Sequence, residues 1–348
     1  MLKLGPIELD FPVVQAALSG YSDAAMRVIA RRCGAPFAIH EVVLDKLLIQ
    51  KSKLHKKIFH VPAEDHPVGG QIMGADPVEF GQAAAVMAEV FDLVDINFGC
   101  PVRKVLGRCR GGFLLSEPDT AIEIIRRVRD AVPKEKPVTV KMRRGLDDTP
   151  ESEANFWRIL DAAFEYGAAA VTVHGRTVEQ RYIGPSRWEF LTRVKKHVGD
   201  RTILGSGDLF TPEDIKRMLD ETGIDGVTVA RGCIGNPWIF RETRALLEGR
   251  ELPPPPSVPE QGEIIREHYR LCAEIEGASQ ASRLMRKFGI KYSELHPNGL
   301  EVRDAFVRAK NAGEWTAVLD EWYSPDRDWP EVQRKTGAGD LVAAGACG

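Results

Sequence analysis

Short apolar runs rich in Val and Ile recur through the first two thirds of the chain, at 13–17, 37–40, 68–72, 93–97, 138–141, 170–174, 202–204 and 226–229. Most lack strict alternation, which is the pattern of parallel strands covered on both faces. Stretches of helical period lie between them, with readable starts. Ser22 precedes a periodic stretch ending near Gly34, Asp76 precedes Pro77, and Thr211 precedes Pro212 with Asp214 at the third helical position. Eight such strand-helix units over roughly 245 residues predict an α/β fold of the (β/α)8 TIM barrel type, whose usual size is about 250 residues. A doubly wound open sheet is the competing topology. The barrel is preferred because polar residues gather just past the strand ends throughout the series, where barrels build their sites.

The pattern changes after the helix that follows Pro237. Five prolines between Leu252 and Pro259 read as a stiff linker, because such a composition continues neither helix nor sheet. Beyond it, apolar residues fall at spacings of three and four with no convincing strand, so a small C-terminal helical bundle is expected. The expected organisation is a catalytic barrel over 1–250, a linker over 251–260, a helical domain over 261–323 and a poorly ordered tail over 324–348.

Composition narrows the class. A chain of 348 residues with 43% hydrophobic content is too apolar to be disordered and long enough for a large core. The start of the chain has no signal-peptide pattern and no apolar run approaches a membrane span, so a soluble, cytoplasmic protein without a membrane partner is expected. Six cysteines without a paired CxxC give no zinc or disulfide framework, so no metal is expected. The net charge of −3 gives no overall attraction to nucleic acid. Three local basic clusters do: five lysines from Lys46 to Lys57, then Arg103, Lys104, Arg108 and Arg110, then Arg283, Arg286, Lys287 and Lys291. Each alone reads equally as a solvated face.

Candidate chemistry sits at the strand ends. In VDINFGCP an apolar strand ends at Asn97 and turns through Gly99 into Cys100, so Asn97 and Cys100 are expected at the barrel mouth. An ordinary thiol, with a pKa of about 8.5, stays protonated near neutrality and can donate to a carbanion-like carbon. Lys141 ends the strand in VTVKMRRG and His174 the strand in VTVHGRT. A cation at either place would stabilise negative charge on a reduced flavin. GSGD after the seventh strand and ARGCIGNP after the eighth occupy the two loops where barrels commonly hold phosphate.

These segments together resemble the signature set of the FMN-dependent, bacterial-type tRNA-dihydrouridine synthases, over roughly 13–322. INFGCP, VKMRRG, HGRTVEQRYIGPSRW, GSGD, ARGCIGNPWIF and MRKFGIKY carry the likeness. The resemblance implies an FMN-containing oxidoreductase, driven by NADPH, that reduces a uridine in tRNA to 5,6-dihydrouridine with Cys100 as general acid. It implies that Gln71, Lys141 and His174, with Ala17, Leu18 and Ser19 at the first strand end, contact the flavin. Ser206, Gly207, Asp208, Ala230 and Arg231 would hold its phosphate side, while Asn97 meets the uracil and Arg176 contacts substrate or flavin. Two positions depart from the family pattern: Ala17-Leu18 where Pro-Met is usual, and Val178 where an arginine often follows HGRT, which implies a missing contact to RNA phosphate. Ribosomal RNA as substrate, a flavin barrel acting on a free pyrimidine or small enone, and a non-catalytic RNA-binding protein are the alternatives.

Overall fold

The computed structural model describes residues 1–50 and 59–334. Lys51, Lys53, Lys56 and Lys57 of the first basic cluster, Cys347, and the tail beyond 334 lie outside the described residues. Contacts divide the chain into two compact units, one of 1–22, 36–208 and 217–230, the other of 23–35, 209–216 and 231–348.

The first unit is a closed barrel. Its strands are β3 (Val13–Gln15), β4 (Ala38–Ile39), β6 (Val68–Met73), β7 (Leu93–Phe98), β8 (Val138–Arg143), β9 (Ala170–His174), β10 (Ile203–Ser206) and β11 (Gly226–Val229). Each pairs in parallel with the next, and β4 closes the ring between β3 and β6. A short strand β5 (Val43–Leu44) adds to β6. All eight apolar runs form barrel strands, so the (β/α)8 expectation holds. The open-sheet alternative fails because no edge remains at β3 or β6.

Register sets what each height of the barrel contains. Thr139 lies opposite Asp95 and Ala170, and Lys141 opposite Asn97 and Thr172. Side chains two apart share a face, so Leu93, Asp95 and Asn97 stack upward along one inner wall. At the bottom, Val14, Phe37, Ile39, Leu93, Ala170 and Leu204 form an apolar cluster with Leu2, Leu4 and Leu9. Those three leucines come from an antiparallel hairpin of β1 (Leu2–Leu4) and β2 (Ile7–Leu9), turned at Gly5 with φ +62°. The hairpin thus plugs the floor. Its three-residue strands are too short for a period to register in the sequence.

Start signals are partly as expected. Asp76 accepts from the backbone of Val78 and Glu79, and Thr211 and Asp214 bond reciprocally. Asp23, not Ser22, caps the helix Ala24–Arg32 by accepting from Met26, while Ser22 Oγ bonds both backbone groups of Leu18. Either residue type can cap; the turn after β3 claims the serine first.

In the second unit the prolines 253–256 lack regular structure, and the helix Val258–Glu276 begins inside the stretch expected as linker. Ser257 and Glu260 make a capping box, and Pro259 is tolerated because first-turn N–H groups need no helical partner. Helices Ala278–Tyr292, Gly299–Arg308 and Ala312–Trp322 follow. Residues 324–334 form no helix, yet Val332 is buried, Trp329 Nε1 donates to the Ser324 carbonyl at 2.8 Å, and Arg334 bonds the Pro253 carbonyl. Among the described residues no helix is long and apolar enough to cross a membrane.

Candidate active site

Above the apolar floor the inward positions become polar, and they bond to each other. Asp95 accepts from Thr139 Oγ1 and Gln71 Nε2, both at 2.6 Å. Gln71 Oε1 accepts from Asn97 Nδ2 at 2.7 Å, and Asn97 Oδ1 accepts from the N–H groups of Gly99 at 2.9 Å and Cys100 at 3.1 Å. One chain of hydrogen bonds therefore runs from the middle of the barrel to the turn bearing the thiol. Burial pushes the Asp95 carboxyl upward in pKa, opposed by its bonds to Thr139 and Gln71 and by the Lys141 charge.

Cys100 is half-buried, and burial pushes its thiol above the usual value despite the nearby Arg143 and Lys141 cations. It therefore stays protonated at neutral pH. Gly111, with φ +58°, lies so close that a Cβ there would sit 2.8 Å from Cys100 Cβ. Lys141 has its pKa lowered to about 8, by burial first and the Arg143 charge second. No described residue holds its Nζ in a hydrogen bond or ion pair. His174 Nδ1 accepts from the Arg176 backbone N–H at 3.1 Å.

Arg176 and Asp208 form an internal pair. Arg176 Nη2 reaches both Asp208 oxygens at 2.8 and 2.7 Å and also bonds the Gly184 carbonyl, while Nη1 is buried with no hydrogen-bond partner. Ser186 N–H donates to Asp208 at 2.7 Å, and Trp188 Nε1 to the Gly207 carbonyl at 3.2 Å. Gly207 has φ +110°, and a Cβ there would meet Ser186 Oγ at 2.5 Å. Ser206 pairs with His174 across β10 and β9. Ala17 and Leu18 are half-buried and Ser19 exposed, in the turn after β3, and Ala230 follows β11.

Arg231 belongs to the second unit, where its guanidinium lies 5.0 Å from the Phe210 ring centre. The nearby glycines have packing reasons within that unit: a Cβ on Gly232 would meet the Leu209 carbonyl oxygen at 2.2 Å, and one on Gly235 the Lys291 backbone at 2.4 Å.

Three groups escaped the sequence reading: Asp95 and Thr139 below the named residues, Arg143 two beyond Lys141, and the Gly111–Gly112 pair. Asp95, Thr139 and Arg143 share the inward phase of Asn97 and Lys141, so extending period two along β7 and β8 finds them. Val178 is 1% exposed and packs on Gly112, so an arginine there would be buried, not offered to a phosphate.

Arg103, Lys104 and Arg108, on and just past the short helix Arg103–Leu106, are exposed and make no ion pair among the described residues. On the helix Ala278–Tyr292 the third cluster is more engaged. Lys291 pairs with Glu294 at 2.8 Å, Lys287 faces Phe288 and Asp23, and Arg283 bonds Gln280 at 2.7 Å.

Known proteins resemble this chain closely. A family model described as "Dihydrouridine synthase (Dus)" matches residues 14–324. A "Probable tRNA-dihydrouridine synthase" of Mycobacterium tuberculosis is 36% identical over 92% of this chain and 84% of its own length. One from Rickettsia conorii is 32% identical over 92% and 98%. Among solved structures, 2-naphthoyl-CoA reductase aligns with a TM-score of 0.53 at 15% identity over 72% of this chain and 52% of its own. Histamine dehydrogenase from Rhizobium sp. 4-9 aligns with a TM-score of 0.55 at 14% identity over 78% and 50%. This chain spans about half of those two proteins, and at such identity they support the barrel alone. With the match running from the first barrel strand to the last helix, the chain is an oxidoreductase enzyme belonging to the dihydrouridine synthase family.

Proposed function

We propose that the chain reduces the 5,6 double bond of a specific uridine in tRNA, using FMN and NADPH, with Cys100 as proton donor. The carrying observation is the bonded chain Thr139–Asp95–Gln71–Asn97, which holds the backbone of the Cys100 turn and sets Asn97 opposite Lys141 in register. The residues fit a flavin. Lys141 has an uncommitted charge, Arg176 an uncommitted buried Nη1, and the turn at Gly207 has no room for a side chain. Gln71, Lys141 and His174, with the turn at Ala17, Leu18 and Ser19, would hold the ring. Ser206, Gly207 and Ala230 would hold the phosphate. Asp208 would otherwise repel an anion; Arg176 neutralises it.

A flavin held there would supply the hydride for carbon 6 of uracil, with NADPH as the source of its electrons. Cys100 Sγ–H then gives its proton to carbon 5, and the thiolate regains one from water, so two electrons and two protons are added overall. Asn97 orients the base, and its amide is itself held by Gln71. A uridine in folded RNA must first leave its stack, at a cost of a few kcal/mol, which backbone contacts offset. Arg103, Lys104 and Arg108 suit that role, being exposed, near the thiol in sequence and without an ion pair among the described residues.

Cys100→Ala tests this reading. The purified variant should keep yellow flavin absorbance and fail to form dihydrouridine in tRNA; ordinary turnover would remove Cys100 from the chemistry. Sequencing dihydrouridine across total RNA, with and without the enzyme, separates tRNA from ribosomal RNA.

A further inference from the structure

Every backbone polar group at the Gly99–Cys100 turn has a partner. Asn97 takes the two N–H groups, Gly112 N–H donates to the Cys100 carbonyl at 3.0 Å, and Arg143 Nε donates to the Gly99 carbonyl at 2.9 Å. The same guanidinium reaches the loop after β9. Its Nη1 donates to the carbonyls of Thr177 and Arg181, each at 2.8 Å, and its carbon lies 5.7 Å from the Tyr182 ring centre. Arg143 is 3% exposed, and three carbonyls in two loops converge on it. A planar fork with five N–H donors spans such a set; the point-like ammonium of lysine does not.

A second contact joins the same loops. A Cβ on Gly112 would lie 2.5 Å from Val178 Cγ2, so the β9 loop packs directly on the residue that bonds the Cys100 carbonyl.

We propose that Arg143 is a positioning residue, tying the thiol-bearing turn and the 177–182 loop into one rigid piece so that the place of Cys100 is set from the β9 loop. This rests on Cys100 being the proton donor. The tip of the β9 loop carries Tyr182 at 56% and Ile183 at 77% exposure, so a macromolecular substrate touching the tip meets a thiol already held in place. The Arg143 charge also opposes the upward push of burial on the thiol.

Arg143→Lys and Arg143→Met, made in the full-length flavoenzyme, test the assignment. Both should lower kcat by about tenfold or more, with KM for tRNA changed by less than about threefold, because the lost quantity is alignment and not binding. Both should also speed tryptic cleavage after Arg181, since the loop loses two of its anchors. Iodoacetamide labelling of Cys100, followed by peptide mapping across pH, should shift to higher pH in Arg143→Met and stay near wild type in Arg143→Lys. Unchanged cleavage after Arg181 together with kcat within twofold of wild type in Arg143→Lys would overturn the proposal. So would a loss confined to KM. Should Arg143→Met fail to fold, the lysine variant alone carries these outcomes. Cleavage and labelling do not require turnover, so they separate a failure here from a failure of the Cys100 assignment.

Discussion

The floor and the mouth of the barrel occupy the same inward phase of the same strands, yet they are opposite in character. On β7 one step of two residues passes from Leu93, in the sealed apolar cluster, to Asp95, and another to Asn97. The floor gains stability from burial alone, with the hairpin leucines as its plug. The mouth buries polar groups, and the run from Thr139 through Asp95 and Gln71 to Asn97 limits that cost by bonding each to the next, while Arg176 Nη1 is buried without a partner. Height along a strand, and not the face of the sheet, thus separates structure from chemistry.

Substitutions at the two ends should separate in kind. Cys100→Ala at the mouth should lower the rate of dihydrouridine formation by about 10²–10⁴-fold, as expected for loss of a general acid, and leave the denaturation midpoint near wild type. Leu93→Ala at the floor should do the reverse, costing about 2–5 kcal/mol in urea unfolding while kcat of the folded fraction stays within about twofold. Comparable rate losses from both would erase the distinction. Asp95→Ala lies between the two ends. It strands Gln71 Nε2 and Thr139 Oγ1, so about 1–3 kcal/mol of stability should go together with a measurable fall in kcat.

Lys141 gives the smallest effect and a definite sign. Its folded-state pKa, about 8, lies below the ordinary 10.5, so the ammonium is charged at pH 7 and is lost as pH rises through about 8. Activity that depends on this charge should decline across that range, and Lys141→Met should remove the step. A depressed lysine pKa also means that the charged form opposes folding. That cost is present below about 8 and is recovered as pH rises toward 10.5. Lys141→Met should therefore raise stability at pH 7 by about 1 kcal/mol, after allowance for partial exposure.

Much of this was legible beforehand. The eight apolar runs became the eight barrel strands, and Gln71, Asn97 and Lys141 do share the inner wall. Arg176 was readable as a residue of the region but not in its partner: its pairing with Asp208, 32 positions away, depends on β9 and β10 lying side by side. Val178 seemed a missing cation until its burial on Gly112 showed a different job. Gly232 and Gly235 were visible as glycines, while what approaches them was not.

By itself, then, the order of residues determined the period of each strand, the caps at Asp76 and Thr211, the thiol in its turn and the membership of a family. Those are local properties, carried by backbone preference and by spacing along one element. The tertiary structure alone decided which polar groups are partners, that Arg143 joins two loops through three carbonyls, and that the thiol is pushed up and Lys141 down. Bonds and desolvation arise between segments brought together only when the cylinder closes, so no single stretch of chain contains them.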